Sequence, residues 1–113
     1  MGHYPYVMDK TIVFRFSTPD PLKYEVKVAG QTIVKRRNWD GDKLLVYLQE
    51  HLPGVFEGRF PDYGLRIESA KKRDIVLEGW KPEKEESDEI KEAFDGLVGE
   101  VLEDVEVEDF LLD

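Results

Sequence analysis

The sequence predicts an α+β fold in which two helices pack on a mostly antiparallel sheet of five to six strands. Short segments that alternate apolar and polar residues recur between residues 11 and 77, and this alternation is the period of a half-buried strand. Two longer segments repeat apolar residues every three or four positions, the period of an amphipathic helix. The strands come in runs, which favours antiparallel pairing. The expected order is β-β-β-α-β-β-β-α.

Three strands are predicted near the start of the sequence, at residues 11–16, 24–28 and 32–37. Between the second and the third, Gly30 and Gln31 are expected at the centre of a type II′ turn, because glycine takes the positive φ that the first of these positions requires. This register places Glu25 opposite Arg36, a favourable pair of opposite charges. The second and third strands are therefore predicted to form a β-hairpin.

The first helix is predicted to begin after Asp40 and to end at Pro53. Asp40 is a suitable N-cap because its carboxylate accepts from the free N–H groups of the first turn, and Asp42 adds negative charge where the helix dipole favours it. One helical face is marked by leucines at positions 44, 45, 48 and 52. Pro53 and Gly54 signal the end of a helix, so residues 55–60 are expected to form a short strand.

Two further strands and a second helix complete the prediction. The strands are expected at residues 65–69 and 75–77. Ser87 is the expected N-cap of the second helix, whose apolar residues fall at positions 90, 93, 94, 97, 98, 101, 102 and 105. After Asp104 the pattern alternates, which suits a last strand or an extended tail. The sequence leaves open whether residues 105–113 are helix, strand or disordered.

The composition indicates one folded domain. Of the 113 residues, 41 % are hydrophobic and none is cysteine, which excludes a disulfide scaffold and a cysteine-based metal site. The charged fraction of 36 % is compatible with a thermophilic source. We find no apolar run long enough to cross a membrane and no secretory signal. We therefore expect a soluble, cytoplasmic protein with no membrane partner.

The net charge of −9 is unevenly distributed. Residues 1–81 contain 14 Lys and Arg against 11 Asp and Glu, whereas residues 82–113 contain 2 against 14. The chain thus divides into a mildly basic α+β body (1–81) and an acidic C-terminal helix and tail (82–113). We expect both parts to belong to a single domain.

The sequence carries no recognisable catalytic, cofactor or metal motif. It has no phosphate loop, no dinucleotide fingerprint, no Gly-x-Ser-x-Gly and no pair of histidines at metal-ligand spacing. His51, at the end of the first predicted helix, is better explained by the helix dipole, which favours a cation there. We therefore expect no enzymatic activity, no cofactor and no metal site.

These observations lead us to interpret the chain as a small regulatory protein that acts by binding. Its acidic end is expected to dock on a basic protein partner, for example as an inhibitor of a nucleic-acid-processing enzyme, because complementary charge steers fast association. Phe110, Leu111 and Leu112 are candidates for an apolar anchor. The carboxylates expected at this contact belong to Glu89, Glu92, Asp95, Glu103, Glu106, Glu108 and Asp109. Two other roles stay open: a packed helix with a solvated charged side, and a tail that folds over the body's own cations.

The alternative function is that of an RNA or single-stranded DNA binding module. Two basic triplets would form one patch if the third strand and the turn at residues 71–73 lie at the same edge of the sheet. Trp39 would then stack on a base. The residues of this patch are Lys35, Arg36, Arg37, Trp39, Lys71, Lys72 and Arg73. The same cations also fit an ordinary polar strand end and turn, and neither interpretation fixes the oligomeric state.

Overall fold

The computed structural model describes residues 10–112, which form five strands, two α-helices and one 3-10 helix. In chain order these are β1 (Thr11–Phe16), β2 (Leu22–Val28), β3 (Gln31–Arg37), α1 (Gly41–Arg59), β4 (Gly64–Ser69), β5 (Asp74–Glu78), α2 (Lys84–Glu103) and the 3-10 helix (Val107–Phe110). The predicted α+β class with two helices is confirmed.

The strands form two separate sheets. One has three strands in the order β4-β1-β5, and the other consists of β2 and β3 alone. β1 runs parallel to β4 and antiparallel to β5. The prediction of one mostly antiparallel sheet is wrong in this respect. The hairpin and α1 separate β1 from β4 and serve as the long crossover that parallel pairing requires.

Helix α1 continues past the proline that was expected to end it. Asp40 is its N-cap, as predicted, and accepts a hydrogen bond from the Lys43 N–H at 3.1 Å. Pro53 lies inside the helix, and the predicted strand at residues 55–60 does not form. Phe56 continues the spacing of the buried leucines Leu44, Leu48 and Leu52. Burial of this aromatic ring offsets the helix bond that Pro53 removes.

The C-terminal elements also differ from the prediction. Helix α2 begins at Lys84, and Ser87 lies in its first turn, where its N–H bonds to the Glu83 carbonyl at 2.8 Å. After Asp104 the chain forms the 3-10 helix where a strand or an extended tail was expected. Only Leu111 joins a β-type contact, an isolated antiparallel bridge with Trp39. Asp113 lies outside the described residues.

Phe94 of α2 lies at the centre of the hydrophobic core. Its side chain is 0 % exposed, and its ring centroid is 5.6 Å from that of Phe14, 5.9 Å from that of Phe56 and 6.2 Å from that of Phe60. All three pairs are edge-to-face, the arrangement that aromatic quadrupoles favour. Further buried residues of α2 are Ile90, Leu97, Val98 and Val101. The acidic segment therefore shares one core with the basic body.

A network of ion pairs covers the opposite face of the three-stranded sheet. Val13 lies on this face, so it is not part of the core between the sheet and the helices, but it is 0 % exposed. Arg66 of β4 reaches across β1 to Glu78 of β5, with N–O distances of 3.1 and 2.8 Å. Glu68 accepts from Arg66 at 3.2 Å and from Arg15 at 3.3 Å. The network therefore links all three strands and shields Val13 from water.

The β2–β3 hairpin, residues 22–37, which we call the ribbon, turns at Ala29 and Gly30. Both residues have positive φ, 52° and 80°, as a type I′ turn requires. Val28 therefore lies opposite Gln31 and Glu25 opposite Val34. The turn lies one residue earlier in the chain than predicted. The predicted type II′ turn at Gly30 and Gln31 and the predicted Glu25–Arg36 pair are therefore both wrong. A type I′ turn matches the right-handed twist of the two strands, which accounts for the strained φ at Ala29.

The first prediction concerns the protonation of Glu78. Hydrogen bonds from Arg66 lower the pKa of Glu78 below its ordinary 4.5, against the opposing effect of desolvation. A carboxyl group with a lowered pKa contributes its full stabilisation above pH 4.5 and loses it as the pH falls through the lowered value. Arg66→Gln is expected to raise the pKa of Glu78 toward 4.5, as measured by NMR titration of its carboxyl group.

The control for this titration is Arg59→Gln, which removes an arginine that pairs with Glu100. It should leave the pKa of Glu78 unchanged. Both partners of the Arg66–Glu78 pair are exposed to solvent, so we expect only a small change in the free energy of unfolding. Identical Glu78 titrations in the two variants would contradict the coupling.

The second prediction concerns Phe110, which is 8 % exposed and belongs to the core. Phe110→Ala is expected to lower the free energy of unfolding by about 3–5 kcal/mol, because it removes a large buried ring. Leu112→Ala, at a position that is 47 % exposed, should change it by less than about 0.5 kcal/mol. Denaturant unfolding of both variants measures the difference, and equal effects would show that the tail is not packed as described.

Candidate functional site

The ribbon is the most exposed part of the described chain. Only Val26 and Arg37 are partly covered, and every other ribbon residue is exposed. Side chains alternate between the two faces of a strand, so the ribbon has one mainly apolar face and one mainly polar face, and both carry cations. One face carries Leu22, Tyr24, Val26, Val28, Ile33, Lys35, Arg37 and Gln31, and the other carries Lys23, Glu25, Lys27, Thr32, Val34 and Arg36. An isolated hairpin is only marginally stable in water, and the two exposed faces of this arm make it the candidate site.

Positive charge is concentrated on this ribbon. Residues 22–37 contain five Lys and Arg and a single carboxylate, that of Glu25. Four of the five cations form no ion pair with any residue in the described range: Lys23, Lys27, Lys35 and Arg36. The ribbon therefore carries a local positive field within a chain that is acidic overall.

The two basic triplets predicted from the sequence lie toward the same end of the molecule. The turn at residues 70–73 follows the end of β4, where the Ala70 N–H bonds to the Phe16 carbonyl of β1 at 2.8 Å. From the same end of β1, the link formed by residues 17–21 leads to the base of the ribbon. A Cβ at Gly41 would collide with the Thr18 side chain, so this link also lies against the start of α1. The ribbon base and the basic turn thus flank one end of β1.

Two cations of these triplets are bound by the acidic segment. Arg37 donates to both carboxylate oxygens of Glu108, at 3.1 and 2.8 Å. Arg73 pairs with Asp95 and lies over the Phe14 ring, 5.3 Å from its centroid. The sequence allowed a tail folded over the body's own cations, and these contacts have that form. Lys35, Arg36, Lys71 and Lys72 are left without an ion pair among residues 10–112.

Trp39 is half-buried and packs against the core beside Leu111. The stacking role expected of Trp39 would require its ring to leave this contact. Tyr24 is a better-placed aromatic residue, 37 % exposed and directly opposite Lys35 on the ribbon. Sequence reasoning missed it because strand alternation does not show that both faces of the ribbon are exposed. With the turn at Ala29–Gly30, the alternation places Tyr24 opposite Lys35.

The acidic residues predicted to bind a partner are divided by the structure into engaged and exposed groups. Asp95 and Glu108 pair with arginines, and the Asp109 carbonyl accepts from Lys43 Nζ at 2.6 Å. Among these predicted residues, the exposed carboxylates without an ion pair in the described range belong to Glu89, Glu92, Glu103, Glu106 and Asp109. Glu89 and Glu92 line a shallow depression with Gly96 and Glu100 on the outer side of α2.

The three apolar anchor candidates lie in different environments. Phe110 is in the core, Leu111 is half-buried beside Trp39, and Leu112 is exposed. The Phe110 ring packs edge-on to Tyr47, with centroids 5.4 Å apart, and Lys43 Nζ lies 5.3 Å from its centroid. Backbone bonds hold the segment in place, from the Asp40 N–H to the Phe110 carbonyl and from the Leu112 N–H to the Asn38 carbonyl. In this arrangement Leu112 alone of the three presents an exposed side chain.

The described residues contain no group of three His, Asp or Glu side chains positioned to hold a metal ion. Neither α1 nor α2, within the part of the chain described, is long and apolar enough to cross a membrane. Comparison with known proteins finds no matching family model, no matching curated protein and no matching solved structure.

Proposed function

We propose that this chain is a non-catalytic binding protein that contacts single-stranded nucleic acid, RNA or DNA, through the ribbon. One observation carries the proposal: an arm exposed on both faces holds five cations and one carboxylate. Phosphate contacts by Lys and Arg supply most of the sequence-independent affinity for nucleic acids. Lys71 and Lys72 lie in a turn at the end of β1 from which the chain continues, through residues 17–21, to the ribbon.

The acidity of the whole chain does not oppose this function. Charges farther apart than about 8 Å are largely screened at physiological ionic strength, so a phosphate at the ribbon responds mainly to the ribbon's own cations. Within the acidic segment, Glu108 is paired with Arg37 at the base of the ribbon and Asp95 with Arg73 of the basic turn. The acidic segment therefore weakens the patch at its base and leaves Lys23, Lys27, Lys35 and Arg36 available.

Tyr24 supplies a stacking surface beside these cations. An exposed aromatic ring next to a backbone-binding groove is the usual arrangement for binding single strands, because every base offers a face for stacking. Tyr24 lies opposite Lys35 on the same face of the ribbon. A strand running along this face would place a phosphate at Lys35 and a base on Tyr24.

The third prediction tests the ribbon with Lys35→Gln/Arg36→Gln. Loss of two phosphate contacts is expected to weaken binding of a labelled oligo-uridine RNA and an oligo-thymidine DNA. The slope of the logarithm of the binding constant against the logarithm of the salt concentration should also become shallower by about 1.4, or 0.7 for each contact on a single strand. Fluorescence anisotropy at several salt concentrations measures both quantities.

The matched control is Lys84→Gln/Lys91→Gln, which removes the same charge from α2. It should leave affinity and salt dependence close to those of the unmodified chain. Glu108→Gln should increase the affinity, because it removes one negative charge beside the base of the ribbon. Tyr24→Leu should reduce affinity without altering the salt dependence. Absence of binding at low salt by the full chain, or equal loss in both double variants, would sink the proposal.

Deletion of residues 82–113 cannot serve as a test of nucleic-acid binding. The deletion would remove Phe94 and the other core residues of α2. The remaining chain would lose the layer that covers the inner face of the sheet, and single-residue variants are therefore required.

A second candidate function is docking of the acidic side of α2 on a basic protein. The observation that favours it is a set of predicted contact residues whose exposed carboxylates form no ion pair in the described range: Glu89, Glu92 and Glu103 on α2, and Glu106 and Asp109 after it. Opposite charge on a partner would steer association from a distance. Leu112 is an exposed apolar side chain at the end of this segment.

The fourth prediction compares neutralisation of Glu89, Glu92, Glu103 and Glu106 by Gln with Glu50→Gln/Glu57→Gln on α1. Basic proteins retained by the immobilised chain should be lost only with the first variant. With the first variant, the association rate of these basic proteins, measured by surface plasmon resonance, should fall and should no longer depend on the salt concentration. Equal retention and equal rates for both variants would exclude this surface as the docking site.

A further inference from the structure

The outer edge of β2 has no neighbouring strand in the described structure. β2 pairs only with β3, and the two form a sheet by themselves. In a hairpin with a two-residue turn, the residues that flank the turn exchange both hydrogen bonds, and such pairs alternate along the ladder. Since Val28 lies opposite Gln31, the backbone groups of Lys23, Glu25 and Lys27 point away from β3. These groups are free to pair with another strand.

We propose that β2 pairs antiparallel with β2 of a second copy of this chain, about a two-fold axis at Val26. In this register Glu25 lies opposite Lys27 of the second copy, and Lys27 lies opposite its Glu25. The symmetry therefore generates two cross-strand pairs of opposite charge from one strand. Glu25 and Lys27 are also the residues whose backbone groups point outward, so the same positions supply the ladder hydrogen bonds.

The opposite face of the same pairing is also complementary. Val26 lies opposite Val26 of the second copy, and in each chain Tyr24 lies opposite Val28 of the other chain. Aromatic and β-branched side chains are favourable cross-strand neighbours. Tyr24 and Val28 are exposed in the single chain, at 37 % and 49 %, and would cover each other in part. Both faces of β2 therefore favour the same register.

Other pairings of the ribbon are less favourable. A shift of the two-fold axis to Glu25 keeps the same faces aligned. It places Glu25 opposite Glu25 of the second copy, however, and Lys23 opposite Lys27. The outer edge of β3 carries Lys35, Arg36 and Arg37 and no carboxylate, so two β3 strands would bring six cations together. Lysines on an edge strand ordinarily discourage association. Here Glu25 lies between two lysines and supplies the partner charge that association needs.

Antiparallel pairing also separates the two bodies. The base of each ribbon would lie beside the turn of the other, so the three-stranded sheets and helices lie at opposite ends of the new four-stranded sheet. β2 has seven residues, a span of about 23 Å at about 3.3 Å per residue, and the bodies do not compete for the same space. The β3 strands, with Lys35 and Arg36, stay on the outside. The dimer therefore leaves the proposed phosphate contacts of Lys35 and Arg36 accessible, whereas Lys27 and Tyr24 belong to its interface.

The fifth prediction uses charge exchange on the full chain. The unmodified protein is expected to form dimers in sedimentation velocity experiments. Glu25→Lys and Lys27→Glu should each raise the dissociation constant by about tenfold or more, because two opposite-charge pairs become two like-charge pairs. An equimolar mixture of the two variants should form a heterodimer, detected by native mass spectrometry. In that heterodimer the lysine introduced at position 25 faces the glutamate introduced at position 27, and the unchanged Lys27 of one chain faces the unchanged Glu25 of the other.

Lys23→Glu is the matched control, because it makes the same charge change on the same face of β2. In the proposed register Lys23 lies opposite Ala29 of the second copy, so this variant should remain dimeric. Circular dichroism checks that every variant is folded. The proposal is overturned by a monomeric unmodified chain at millimolar concentration. Dimers that persist in both single variants, or a mixture that forms no heterodimer, would overturn it equally.

Discussion

The packing of Phe94 against Phe14 holds the layers of the molecule together. It joins the acidic helix α2 to the central strand β1, with ring centroids 5.6 Å apart. Phe56 of α1 contacts the same Phe94 ring, so this one side chain holds both helices on the sheet. Removal of α2 would expose the inner face of β1, which is the most apolar strand of the chain.

This dependence explains why the acidic segment cannot be regarded as a separate tail. Its apolar side is committed to the core, and only its polar side is available for contacts. Two of its carboxylates return to the body and bind Arg37 and Arg73. The charge separation seen along the sequence is thus partly neutralised by folding, at Arg37 in the base of the ribbon and at Arg73 in the turn before β5. What remains is an acidic outer side of α2 and a basic ribbon.

The ribbon contributes no residue to the hydrophobic core, so packing in the core does not account for its structure. In the described part of the chain none of the ribbon's apolar residues is buried, and its two strands form a sheet by themselves. An exposed two-stranded arm is retained in a stable fold only at a cost in solvent-exposed apolar surface. Phosphate contacts of Lys35 and Arg36 use β3, whereas pairing with a second copy uses the edge of β2. The two are compatible at these positions, but the dimer covers part of Tyr24 and pairs Lys27.

The amino-acid sequence alone was sufficient to predict the α+β class, the N-cap at Asp40 and the amphipathic face of α2, because these depend on local spacing and on hydrogen bonds within one turn. It was not sufficient for the end of α1, since the local signal of Pro53 was outweighed by burial of Phe56 in the core. The hairpin turn was misplaced by one residue, because Gly30 fits either turn type and the strand twist selects between them. Tertiary packing was needed to establish that β4 lies parallel to β1, that Phe110 is buried, and that Asp95 and Glu108 reach arginines of the body. These features join residues that are far apart in the chain, and no local pattern encodes such distances.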